Sequence, residues 1–250
     1  MVRNVIIKSD FFLLTNKRTR VIIKLSIILL SIERGGKVAV ADKTIDPKIL
    51  ASARAEFLKK GFEGASLKDI CAHAGVTTGA LYKRYAGKDE LFCAVVRQTV
   101  EDLDGIMEEK KGRLSKGMDD KALMDAWYMD FDYMMWWFDY LYQRYDDYVL
   151  LLKCAAGSSY GDFTHLWVER MTESTYAYYE EAYRRGISKE EVSREEMHIL
   201  LSAFWTSIYE PFVHGMKRDQ IENHCRLVCR LFDWQKAFEF TLPGSGKETD

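Results

Sequence analysis

Proline is scarce in this chain. Only Pro47, Pro211 and Pro243 occur in 250 residues, so nearly all of it can be helical without interruption. Long apolar runs are also missing. The longest, Val21–Ile32, has twelve residues and contains Lys24, which is too short to span a bilayer. Glu33-Arg34 follows it, and this is no small-residue cleavage site, so a secretory leader is not expected. No membrane partner is expected, and the protein is read as cytoplasmic. Cysteines are few, at positions 71, 93, 154, 225 and 229, and they read as free thiols in a reducing compartment. Cys225 and Cys229 share a helix face but lack the second ligand pair that a zinc site needs, so no metal and no cofactor is expected. Strand alternation and internal repeats are absent from residue 38 onward.

Charge of one sign is not in excess overall, since 36 basic residues face 38 acidic ones. Its distribution is uneven. Residues 1–37 carry a net +6, residues 38–95 a net +2 and residues 96–250 a net −10. An acidic body behind a mildly basic head suits a protein whose head alone meets a polyanion. Residues 1–37 read as a non-native or disordered extension. Glu33-Arg34-Gly35-Gly36 is what a purine-rich ribosome-binding sequence would encode, with a start at Val38 or Val40. The other reading is a basic arm that touches phosphates.

From Asp46 the chain has helical order. Asp46 and Pro47 form an N-cap and N1 pair, and Gly61 is a stop. Ser66-Leu67-Lys68-Asp69 has the form of a capping box and begins a second helix that runs to about His73. Gly75 supplies the positive φ of a tight turn, and Thr77 caps a third helix through about Arg84. A fourth helix starts at Lys88 and runs to about Lys116. The last two of the first three helices are joined by a short glycine turn, which is a helix-turn-helix unit.

Short polar residues at the start of the second helix of such a pair let the backbone approach base edges. Thr77, Thr78, Gly79 and Ala80 supply them. Tyr82 and Lys83 have the reach for phosphate or base. Lys88 and Ser66 each stand at a helix start, where a phosphate is favoured. Ile70, Leu81 and Tyr85 read as core, His73 as surface polar, and Arg84 as either a contact or a solvated residue.

The run Ser66–Leu91 resembles the TetR family of bacterial regulators. It has the Ile-x-x-x-Ala-Gly-Val turn (Ile70–Val76), the Gly-x-Leu-Tyr recognition helix (Gly79–Tyr82) and the Tyr-x-x-Lys-x-x-Leu entry to the next helix (Tyr85–Leu91). Cys71 and Arg84 depart mildly from the family pattern, which usually has Ala and often His there. The resemblance covers about 50 residues; the rest resembles one subgroup loosely through Leu151–Ser159. It implies an all-α protein of about nine helices with a ligand pocket in its middle helices. It also implies a homodimer through the last two helices and a palindromic double-stranded DNA operator. The domains expected are a reader over 38–95, a ligand and dimerisation body over 96–242, and a disordered tail over 243–250.

In the body, Asp119–Tyr145 reads as one amphipathic stretch. Leu123, Trp127, Phe131, Met134, Phe138 and Leu141 form its stripe, and Asp125, Asp132, Asp139 and Asp146 its wet face. Asp130 stands off that face. It is read either as the partner of an arginine such as Arg170 or Arg184, or as a ligand carboxylate. In the second case Trp127, Asp130, Phe131, Met134 and Tyr176 would hold a small-molecule effector, an organic cation among rings. Further helices are expected over 148–156, 163–185, 193–215 and 219–240.

The favoured function is therefore a ligand-responsive repressor. The alternative is a helical adaptor that acts without sequence-specific DNA binding. An enzyme is the distant third reading. Gly157-Ser158-Ser159-Tyr160-Gly161 has the letters of a nucleophile elbow but lacks the strand that must precede one, so it reads as a loop between helices.

Overall fold

Every regular element is a helix in the computed structural model, which describes residues 45–115 and 117–242. The expected extension over 1–37 and the tail over 243–250 lie outside the described residues. Eleven α-helical segments occur among those described: α1 (Ile45–Gly64), α2 (Leu67–Ala74), α3 (Thr78–Tyr82), α4 (Lys88–Ser115), α5 (Asp120–Asp125), α6 (Phe131–Tyr142), α7 (Tyr145–Val149), α8 (Phe163–Arg184), α9 (Arg194–Val213), α10 (Arg218–Leu231) and α11 (Trp234–Ala237). The surplus over nine comes from two breaks that the hydrophobic pattern conceals.

Helix α1 buries Ile49, Ala53 and Phe57, one residue per turn. At Gly61 the backbone takes φ 71 and ψ 171, so the helix kinks there and continues to Gly64. The kink folds Phe62 back, and Phe57, Phe62 and Phe92 form a ring cluster with centroids 5.0–6.1 Å apart. Gly75 ends α2 at φ 68, in the left-handed region where a side chain is strained. Leu81 and Ile70 are fully buried, so α3 hangs on a dry core by a single leucine.

Helix α4 leaves the reader and enters the body. At 28 residues it is about 42 Å long. It buries Leu91, Phe92, Val95 and Val96 in the reader, then Leu103 and Met107 in the body. Helices α8 and α9 pack side by side, and α10 lies along α6. The stripe of the Asp119–Tyr145 stretch is core as expected, except that Phe131 is only half-buried.

That stretch is two helices, not one. Asp119 accepts from Ala122 N at 2.7 Å and starts α5, and Asp130 accepts from Tyr133 N at 2.8 Å and starts α6. The second break falls at Phe232-Asp233. There the expected last helix turns, and α11 folds back so that Ser188 Oγ donates to Phe238 O at 2.9 Å and Thr241 N to Ile187 O at 2.8 Å. Helix α7 ends in a π-turn over Leu150–Cys154, against which α1 packs. No helix among the described residues is long and apolar enough to cross a membrane.

Candidate nucleic-acid interface

The reader presents the N-terminal end of α3. Thr77 has an extended backbone, and its hydroxyl accepts from Ala80 N at 3.2 Å, so it caps the helix while remaining exposed. Thr78, Gly79, Tyr82 and Lys83 are exposed, and Ala80 is half-buried. A methyl added at Gly79 would meet only Thr77 Oγ1, at 3.9 Å. The chain's own packing therefore does not require glycine there. Its effect is to keep the exposed face of the helix low. These six residues form one polar, solvent-facing strip backed by buried Leu81 and by Tyr85, which is 9% exposed.

Arg84 has a structural role. Its Nε donates to Asp46 Oδ1 at 2.5 Å and its Nη1 to Ala80 O at 3.1 Å, tying the end of α3 to the start of α1. Ser66 caps α2, accepting from Asp69 N at 3.3 Å. The expected capping box is only half formed, because the Asp69 carboxylate accepts from Lys60 Nζ at 3.0 Å. The Ser66 N–H instead donates to Glu56 Oε1 at 3.4 Å. Glu56, which the sequence reading passed over, is 4% exposed. The Lys60 ammonium, 2.7 Å away, holds its carboxyl below the usual carboxylate range. The i, i+4 spacing of Glu56 and Lys60 was the available signal.

Lys88 departs most from expectation. Its Nζ donates to Glu63 O at 2.9 Å and Ala65 O at 3.2 Å and lies 4.8 Å from the Phe62 ring centroid. The ammonium is committed to the carbonyls of the α1–α2 link and does not project from the helix start toward a phosphate. It satisfies acceptors that the kink at Gly61 leaves over.

The residues expected to hold an effector do not form the expected site. Asp130 is exposed and serves as the N-cap of α6, which explains why it stands off the wet face. Neither named arginine partners it. Arg170 pairs with Asp104, and Arg184 pairs with Glu181 at 2.6 Å. Trp127 is 5% exposed and packs edge-on against Phe238 and Phe240. Phe131 lies under the Arg226 guanidinium, 4.3 Å from its ring centroid. Met134 is fully buried, and Tyr176 stacks on Tyr179. A groove of about 380 Å³ lies elsewhere, between Glu190, Val192, Glu196, Ile199 and Phe238.

Ser159 Oγ and Ser159 N both donate to Asp89, at 2.5 and 2.7 Å, and the segment around it is a turn between helices. Among the described residues no group of three His, Cys, Asp or Glu side chains is placed to hold a metal ion.

Residues 49–95, which contain most of α1, all of α2 and α3 and the start of α4, match the family model for bacterial regulatory proteins of the tetR family. Over that segment the chain is similar to the TetR family. It is 31% identical over 86 residues to the HTH-type transcriptional repressor AcnR of Corynebacterium efficiens, a match covering 31% of this chain. The chain spans 45% of the length of that curated relative. Among solved structures, NalD of Pseudomonas aeruginosa, the secondary repressor of the MexAB-OprM efflux pump, superposes with a TM-score of 0.53 at 18% identity. The match covers 76% of this chain and 94% of NalD. FadR of Bacillus subtilis, solved with stearoyl-CoA, gives a TM-score of 0.52 at 12% identity, covering 75% of this chain and 97% of FadR. Similarity at that level establishes the shared helical fold.

Proposed function

We propose that this chain is a ligand-responsive DNA-binding transcriptional regulator of the TetR family that acts as a homodimeric repressor. The observation that carries the reading is the exposed strip Thr77–Lys83 on a helix whose other side is anchored by Leu81. Thr77 and Thr78 offer hydroxyls and methyls to base edges, Gly79 and Ala80 allow close approach, and Tyr82 and Lys83 reach the backbone. Ser66, at the start of α2, has its N–H held by Glu56 and its oxygen by Asp69 N, and its hydroxyl proton is what it offers a phosphate. Lys88 has a supporting role, because its charge is spent inside the reader.

Apolar exposure supports dimerisation through α9 and α10. Ile199, Leu200, Leu227 and Leu231 are 65, 37, 45 and 77% exposed on these two helices. A second copy offers the same residues, so a two-fold contact covers both sets at once. Two readers related by a two-fold axis imply a palindromic site with half-sites about one helical turn, or a multiple, apart.

Selection from random double-stranded DNA, followed by anisotropy titration, tests the reading. A palindromic consensus is expected, and Thr78→Ala should cost about 1–3 kcal/mol on that consensus with little effect on random DNA. Failure to enrich any sequence would refute it.

A further inference from the structure

The loop between α7 and α8 carries the letters Gly-x-Ser-x-Gly without serving chemistry, and the reader's partners show what it does instead. Both oxygens of the Asp89 carboxylate are taken by Ser159, one by its N–H and one by its hydroxyl. Asp89 is the second residue of α4, on the reader side. Two residues before Ser159, Gly157 lies against Glu63 at the end of α1, so closely that an added Cβ would fall 2.9 Å from Glu63 Cγ. Gly157 also has φ 82, where a side chain is strained. Glu63 is in turn the residue whose carbonyl Lys88 holds. The loop thus grips the reader on both sides of Lys88, at the α1–α2 link and at the root of α4. A third tie lies nearby: Arg54 of α1 meets Asp147 of α7 at 2.7 Å.

We propose that Gly157–Gly161 is a clasp that fixes the orientation of the reader on the body. Ser159 and Asp89 are its positioning residues for operator binding. The inference rests on the DNA-reader reading above. Helix α4 alone joins reader to body covalently, and a single helix allows its end to swing and twist. Two readers must meet successive major grooves together, so a small swing of each is magnified into an error of half-site spacing. A bidentate contact between a backbone N–H, a hydroxyl and one carboxylate holds direction as well as distance, which one point contact does not. The loop continues directly from α7 and its π-turn, on which α1 also packs, so the clasp adds to that contact at the root of α4.

The full chain is compared with Ser159→Ala and Ser159→Thr. Hydrogen exchange without DNA reads the clasp itself. Faster exchange over residues 61–66 and 88–92 is expected in Ser159→Ala, with the rest of the body unchanged and Ser159→Thr close to the natural chain. Asp89→Ala, which removes the N–H and the hydroxyl bond together, should speed exchange further, and unchanged exchange in both Ser159→Ala and Asp89→Ala overturns the clasp. Anisotropy on the selected operator, and on versions with one base pair added or removed between half-sites, reads the positioning. Ser159→Ala is expected to lose about tenfold on the selected spacing and to discriminate less between spacings. A single half-site should bind as before, and the threonine variant should be restored. Faster exchange with an unaltered spacing profile overturns the positioning role. If the natural chain enriches no DNA sequence, the DNA-reader reading falls by itself, and exchange still decides whether the loop holds the reader.

Discussion

Replacing Lys88 by alanine separates a structural lysine from a phosphate-binding one. Two carbonyl oxygens, at 2.9 and 3.2 Å, lose their donor, and the Phe62 ring loses a cation 4.8 Å away. A hydrogen bond to a charged group contributes about 1.5–3 kcal/mol, and an exposed cation–ring contact about 0.5–1 kcal/mol. Lys88 is half-exposed, so water replaces part of what is lost. The net cost is expected to be about 1–2 kcal/mol. For a folded body of this size that lowers Tm by roughly 3–6 °C. Lys88→Met, which restores the cover over Phe62 but not the hydrogen bonds, should recover only a minor part. The same variants are titrated against DNA at several salt concentrations. A phosphate contact removed would flatten the salt dependence by about one counterion, whereas a buttress removed leaves the slope nearly unchanged. An unaltered Tm together with a slope reduced by about one would refute the structural assignment.

Three further substitutions test other parts of the argument. Asp130→Ala removes the cap of α6 and should cost about 1 kcal/mol in chemical denaturation, while Asp130→Asn, which still caps, should cost little; equal losses would show that the charge matters and the cap does not. Gly75→Ala meets nothing within 4 Å, so its expected cost of about 1–2 kcal/mol is purely that of holding a side chain at φ 68; a neutral effect in thermal unfolding would contradict the left-handed turn. Lys110 donates to Thr175 Oγ1 at 2.8 Å, and burial pushes its pKa down to about 8. At Lys110 the folded chain holds fewer protons than the unfolded one between about pH 8 and 10, so this group adds stability as pH rises, by up to about 1 kcal/mol per unit. The thiols of Cys71, Cys93, Cys154, Cys225 and Cys229, all pushed up by burial, oppose it over the same range, with Cys225 reaching about 12. Half-buried Tyr133 and Tyr140, also pushed up to about 12, add to the fall above about pH 10. The stability of the natural chain minus that of Lys110→Met should therefore rise between about pH 8 and 10, and a flat difference would refute the lowered pKa of Lys110.

What the sequence reveals and what it hides divide along physical lines. The reader is legible because its turns depend on local chemistry. Ser66 and Thr77 cap with their own hydroxyls, and Gly75 turns with its own φ. Ile70, Leu81 and Tyr85 are buried as their spacing implies. Lys88 is illegible because its partners are the carbonyls of Glu63 and Ala65, which a kink 27 residues upstream brings beneath it. Asp69 is misread for the same reason, as Lys60 arrives from the preceding helix. In the body, aspartates every seven residues imitate one long wet face and hide the break before Phe131. The misplaced Asp130 is then read as a ligand group. An acid immediately before a run such as Phe131–Leu141 is equally the mark of a helix start, and that local reading is the one the structure bears out.

The two C-terminal helices show how far an apolar stripe can be trusted. Leu200, Phe204, Ile208, Phe212, Leu227, Leu231, Trp234 and Phe238 look alike in sequence, and all eight could serve a partner. Five of them are consumed within the subunit. Phe212 packs on Phe138 and Tyr148, Phe204 on Phe232 and Trp234, and Trp234 on Phe238, while Ile208 is 2% exposed. The break at Phe232-Asp233 makes this possible, because it turns Trp234 and Phe238 inward toward α8 and α9. Leu200, Leu227 and Leu231 remain outside, joined by Ile199 from the adjacent position on α9. A dimer built on these four aliphatic residues should therefore come apart on Leu231→Glu or Ile199→Glu without loss of monomer helicity, because neither side chain belongs to the subunit's own core. Light scattering together with circular dichroism checks this. If both variants stay dimeric at micromolar concentration, the association surface lies off the α9–α10 face.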